Sequence, residues 1–184
     1  MSDKPTYLGL LNAIAVGERR GHAVLSAWCS VTGDRELASV LNMVAIREQE
    51  HAAAFEKRLC ELGYGVKETA NPAFDESLAA ARSNASDRDK FQQVLGYGAR
   101  EENEGDDPLA RVFDDRSIDP QTGALLGRFI AEERDSERQL RAAWHLTEAA
   151  ASSANGDDDP LLADIAARID RLAETIEQFK QLRR

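Results

Sequence analysis

The sequence predicts an all-α protein: a four-helix bundle with a long crossover between its second and third helices, followed by a C-terminal amphipathic helix. Three observations carry that expectation. Ala, Leu, Glu, Arg and Gln are abundant and β-branched runs are absent, a composition that favours helix. Apolar residues recur at spacings of three and four, the period of a helix with one buried face. The connections between the periodic segments run short, long, short. With 42% hydrophobic residues in a chain of 184, there is enough apolar surface for a core, which excludes wholesale disorder.

Thr6 to Thr32 reads as the first helix, closed by Gly33. Asp34 caps a second helix that runs to about Leu62 and stops at Gly63. Only Gly33 and Asp34 separate the two, so they are expected to be antiparallel neighbours. The connection from Gly63 to Ser86 contains Asn71-Pro72 and room for one short helix around Phe74 to Arg82. Ser86 with Asp89 caps a third helix, expected from Asp87 to about Phe113 with a break near Gly105 and Pro108. Asp119-Pro120 sets a cap residue before a proline at the first helical position and opens a fourth helix to about Ala151. The expected organisation is a bundle over residues 1–151, then a linker and C-terminal helix over 152–184. In that last helix Leu162, Ile165, Ile169, Leu172, Ile176 and Phe179 form a heptad seam, suited to a homodimer.

Charge and composition narrow the partners. Asp and Glu total 33 against 23 Lys and Arg, a formal net charge of −10, which repels a phosphate backbone and excludes non-specific nucleic-acid binding. Mean hydropathy is −0.48. No apolar run approaches the roughly 18 residues of a membrane span. The N-terminal segment has no basic stretch before its apolar patch and no small-residue cleavage site, so a cytoplasmic location is the expectation. Cys29 and Cys60 form neither a CxxC pair nor a disulfide framework.

Acids stand inside the apolar stripes. In the second helix Leu37, Leu41, Val44, Glu48, His51, Phe55, Leu59 and Leu62 share one face, so Glu48 and His51 project toward the core. In the first, Leu11, Ile14, Ala15, Glu18, Leu25 and Cys29 share an arc on which Glu18 is the lone acid. The fourth has Leu126, Phe129, Ile130, Glu133, Leu140 and Trp144; the third is expected to carry Val94, Tyr97, Glu101, Glu104 and Pro108 on one face. No Lys or Arg occupies the centre of these stripes. Burying carboxylates together is costly unless their charge is cancelled. Divalent metals would cancel it, and oxygen donors with an imidazole suit iron or manganese better than zinc.

This order of motifs resembles the ferritin-like superfamily, in particular the rubrerythrin-type di-iron carboxylate proteins, whose bundles take a Glu from each of two helices and Glu-x-x-His from the others. Glu18 matches the first-helix Glu, and Glu48-Gln49-Glu50-His51 matches the second-helix motif. Ala99-Arg100-Glu101-Glu102-Asn103-Glu104 resembles the third-helix segment, and the stretch from Phe129 to Ser136 resembles the fourth. The resemblance spans about residues 7 to 150 and rests on motif order and spacing. It implies a non-haem centre of two iron ions, or manganese, held by Glu18, Glu48, His51, Glu101 or Glu104, and Glu133. The implied chemistry is oxidation of Fe(II) by dioxygen or peroxide.

One departure stands out. Ser136 occupies the place of the family's second His, leaving His22 or Glu137 as replacement ligands. Without CxxC pairs, this chain carries no rubredoxin-like electron-donating domain. Two other readings stay open: a metal-free helical interaction protein with a degenerate site, and an iron-storage shell subunit. Trp28, Trp144 and Tyr97 are expected to serve packing, Gly17 and Gly21 to permit close helix approach, and His145 to lie off the inner stripe.

Overall fold

The computed structural model describes residues 5–98 and 115–155, which form five α-helices and, among the described residues, no strand. The chain divides into two compact units, 1–145 and 146–184. Of the second unit, only residues 146–155, the last turns of one helix, are described. The C-terminal seam from Leu162 to Phe179 lies outside the described residues. No helix among the described residues is long and apolar enough to cross a membrane.

Helix α1 spans Leu8–Cys29 and α2 spans Arg35–Glu61. The first ends earlier than its sequence suggests, and Gly33 does not adopt the left-handed conformation of a helix-closing glycine. Local hydroxyl bonds explain the difference. Ser30 donates to the Ala27 carbonyl at 2.7 Å, while Thr32 accepts the Asp34 amide at 3.2 Å and donates to Asp87 at 2.7 Å. These draw the backbone out of the helix before the glycine is reached. Asp34 does cap α2, accepting the Glu36 and Leu37 amides at 2.9 and 3.1 Å. At the other end Gly63 takes a φ of +84°, and the Tyr64 amide returns to the Leu59 carbonyl at 2.9 Å. This is a Schellman closure, which needs glycine at the left-handed position.

The connection after Gly63 retraces α1. Asn12 and Lys67 exchange two hydrogen bonds of 2.9 and 2.7 Å, then Arg19 and Arg20 both pair with Glu68. Helix α3, Pro72–Arg82, follows, with Asn71 as cap and Pro72 at its start. Helix α4, Asp87–Leu95, begins at Ser86, which accepts the Asp89 amide at 3.1 Å.

The third long helix expected to reach Phe113 stops at Leu95, because Gly96 turns left-handed at φ +74° and Gly98 follows at +78°. Tyr97 therefore lies beyond the helix, and the shared face expected for Val94, Tyr97, Glu101, Glu104 and Pro108 does not extend from α4. Residues 99–114 lie outside the described ones.

Helix α5, Pro120–Asn155, opens as its sequence suggests. Asp119 accepts the Gln121 and Thr122 amides, each at 3.0 Å. Contacts fix its direction within the first unit: Asp119 meets Arg58, Phe129 meets Phe55, and Asp135 meets Arg47. It thus runs antiparallel to α2 and alongside α1. The buried apolar residues form two clusters. One gathers Leu25, Trp28, Leu41, Phe91 and Trp144; the other gathers Leu11, Phe55, Leu59, Leu126 and Phe129. Glu18, Glu48, His51 and Glu133 lie at the level between them along α1, α2 and α5.

Candidate metal centre

His51 is the hub. Helical spacing turns it inward with Leu41, Val44 and Phe55, and its side chain is only 4% exposed. Its ring stands edge-on to Phe129, with centroids 5.1 Å apart. Nδ1–H donates to Glu18 Oε2 at 3.0 Å, and Nε2–H donates to Glu132 Oε2 at 2.7 Å. Glu133 Oε1 lies 3.4 Å from Nδ1, close enough for charge attraction but without a hydrogen bond of its own. Glu18, His51 and Glu133 each offer one ligand atom, all within 4.8 Å of one another.

Glu48 completes the acid group from one turn before His51. Its Oε2 is buried without a hydrogen-bond partner, as is Glu133 Oε1. Gly21 of α1 makes room for it: a Cβ at position 21 would overlap Glu48 Oε2. Nothing stands within 4 Å of a Cβ at Gly17, so of these two glycines only Gly21 serves a close approach.

The electrostatics follow from too many acids around one cation. Burial, then the charges of Glu18 and Glu133, push the Glu48 carboxyl up to about 9 against the attraction of His51. Burial also raises Glu18, with the His51 bond opposing and Glu133 assisting. For His51, burial works to lower the value, but contacts with Glu133, Glu18 and Glu132 outweigh it and push the imidazole up to about 10. Glu132 is lowered: burial opposes this, and its bonds to Arg128 and His51 prevail. Near neutral pH the folded cluster therefore keeps a proton on Glu48 and two on the His51 ring.

The donor set fits a divalent cation. Two buried carboxylate oxygens lack a hydrogen bond, the acids outnumber the one imidazolium, and oxygens with one imidazole suit iron or manganese. Binding would require His51 to release a ring proton.

Of the six candidate ligands, Glu18, His51 and Glu133 bring ligand atoms together, Glu48 lies near enough to feel their charges without joining that group, and Glu101 and Glu104 lie outside the described residues. The replacement ligands are engaged elsewhere. His22 Nδ1 donates to the Ala45 carbonyl at 2.8 Å, strapping α1 to α2, and Glu137 accepts from Tyr97 at 2.9 Å and from Arg141 at 2.6 Å. Tyr97 stacks on Phe91 and belongs to an aromatic group with Trp28 and Trp144, all at a distance from the centre in sequence and packing. His145 is exposed.

Two participants are not marked by the apolar stripes. Glu132 lies beside the stripe rather than on it, yet it reaches His51; its pairing with Arg128 at i−4 was the available signal. Arg47, flanking Glu48, crosses to α5, pairing with Asp135 at 2.6 Å and donating to the buried Ser136 hydroxyl at 3.2 Å. The close approach expected at Gly21 is made against Glu48 of α2. No family model matches this chain, and neither does any curated protein or solved structure.

Proposed function

We propose that this chain is a carboxylate–histidine metal protein that binds Fe(II) or Mn(II) through Glu18, Glu48, His51 and Glu133. In keeping with its resemblance to the ferritin-like proteins, the proposed activity is oxidation of Fe(II) by dioxygen or peroxide. The observation that carries the reading is the pair of buried oxygens without a hydrogen bond, Glu48 Oε2 and Glu133 Oε1, beside one imidazole. A buried polar atom without a partner costs roughly 1–3 kcal/mol, which a cation would recover. The antiparallel course of α1 and α2, and a connection that retraces α1, support a bundle of this type.

The metal, when bound, supplies the electron-transfer chemistry. The chain's own residues prepare for it. Glu132, anchored by Arg128 at 2.9 Å, holds Nε2 and so fixes the ring plane of His51. Phe129 packs edge-on against the His51 ring, and apolar clusters lie on either side of the acids. The described donors suffice for one ion; a second would draw on Glu101 or Glu104. Arg47 already occupies the Ser136 hydroxyl, where the related motif has its second imidazole.

A metal-free interaction protein is the second reading, favoured by one observation: both His51 nitrogens are satisfied by carboxylates, so the cluster has a self-contained ionic core. Elemental analysis after anaerobic reconstitution with Fe(II) or Mn(II) separates the two. The metal reading expects stoichiometric uptake that falls sharply in Glu48→Ala and in His51→Ala. Trace uptake by folded wild-type protein would leave only the metal-free reading.

A further inference from the structure

The ligand atoms of Glu18, His51 and Glu133 surround one point, and the layers on either side of it decide whether a second ion can follow the first. Contacts from α1 and α5 place those layers along α2. Glu18 meets His51 and His22 meets Ala45, while Phe129 meets Phe55 and Asp135 meets Arg47. Toward the C-terminal end of α2, the next layer is closed by rings. Phe129 stands 5.1 Å from His51 and 5.3 Å from Phe55, with Ala15 buried in the same cluster. Aromatic edges and a methyl group offer a cation no ligand. Toward the N-terminal end the layer comprises Gly21 of α1, Glu48 of α2 and Ser136 of α5. Paired ions in one site stand about 3.5–4 Å apart, so a second ion belongs in this layer.

The chain already places a cation of its own there. Arg47 Nη1 donates to Asp135 Oδ2 at 2.6 Å and to the Ser136 hydroxyl at 3.2 Å, and Ser136 is buried. Asp135 is held in turn, accepting from Gln139 at 2.7 Å and from Arg138 at 2.8 Å. The guanidinium is therefore fixed against α5. Unlike His51, an arginine cannot release a proton to admit a metal. We infer that the centre holds one divalent ion and not two, with the Arg47 guanidinium standing where a second ion would bind. Its charge repels a second cation. It also consumes the Asp135 oxygen and the Ser136 hydroxyl, the groups of α5 that could serve as donors in this layer. A further acid in the layer would add a donor without removing that charge.

The inference rests on the metal reading and sharpens it, so the test counts ions and does not follow turnover. Full-length protein is titrated anaerobically with Mn(II), and the bound metal is measured by elemental analysis and by electron paramagnetic resonance. Wild type is expected to hold one ion at the centre, with the spectrum of an isolated Mn(II). Arg47→Gln removes the charge and frees Asp135. It is expected to take a second ion, bound at least tenfold more weakly than the first, and to show the spectrum of a coupled pair. Arg47→Lys keeps the charge and should stay at one. A coupled pair in wild type would overturn the inference and leave the metal reading standing. A single ion in a folded Arg47→Gln, or a coupled pair in Arg47→Lys, would also overturn it, because the charge at position 47 would then not set the count. Should Arg47→Gln fail to fold, the wild-type spectrum decides: an isolated ion sustains the inference and a coupled pair ends it. No uptake by folded wild type would remove the metal reading, and the inference with it.

Discussion

At the scale of single residues, Gly21 and Glu48 make the sharpest pair. A methyl group at position 21 overlaps the end of a flexible side chain, not backbone, so Glu48 can swing aside and the fold can survive. Alanine in a helix interior is worth up to about 1 kcal/mol over glycine. Gly21→Ala is therefore expected to leave the melting temperature unchanged or slightly raised while weakening Mn(II) binding tenfold or more. A thermal melt and a metal titration on the same sample check it, and unchanged affinity in a stable variant would show that Glu48 is not a ligand. Much of this group was legible in the sequence, because Glu18, Glu48, His51 and Glu133 interrupt apolar stripes whose phase is set by leucines and aromatics. Glu132 was not, since a long side chain beside a stripe can reach inward, and periodicity reports only where Cβ points. Arg47 was not legible for the same reason: its Cβ flanks the stripe, while its guanidinium ends on α5.

Among the elements, helix starts were more legible than helix stops. Asp34, Asn71, Ser86 and Asp119 all accept amides of their first turns, a job set by local chemistry that a sequence displays directly. Stops depend on competition. Gly33 was expected to close α1, but the hydroxyls of Ser30 and Thr32 acted first, whereas Gly96, set within a helix-like run, ended α4 early. Asp119 shows what a cap can gain from its surroundings. Besides two amides it accepts from Thr122 at 2.6 Å, Tyr7 at 2.7 Å and Arg58 at 3.0 Å, joining the start of α5 to α1 and α2. The Thr122 bond first, then that of Tyr7, hold its carboxyl well below the ordinary range. A carboxyl depressed on folding contributes stability above its unfolded value, about 3.9, and loses that contribution as pH falls toward its folded value. The stability gap between wild type and Asp119→Asn in urea melts should therefore be full at pH 7 and shrink below about pH 4. A gap that stays constant from pH 7 to pH 3 would show that this carboxyl titrates normally in the folded chain.

For the first unit taken whole, the main feature is a core in two parts, with a charged layer between the Leu11–Phe129 cluster and the Leu41–Trp144 cluster. Its helical class was legible from composition and periodicity; the arrangement of the layer required knowing how α5 lies on α2. Such a layer costs stability. Replacing a buried ionic group by apolar residues of similar volume is often neutral or stabilising by about 1–4 kcal/mol. The combined variant Glu18→Leu, Glu48→Leu, His51→Phe and Glu133→Leu is thus expected to melt higher than wild type while giving broader amide resonances in NMR spectra. Sharp, wild-type-like dispersion in that variant would show that the layer has no role in selecting one structure. The reason to expect broadening lies in alignment. Apolar stripes match almost as well when one helix slides past another by a turn, about 5.4 Å. A ring that must meet Glu18 with one nitrogen and Glu132 with the other has a single axial position. His51 acts like a key cut for one lock, as a lone buried polar residue sets the register of a coiled coil.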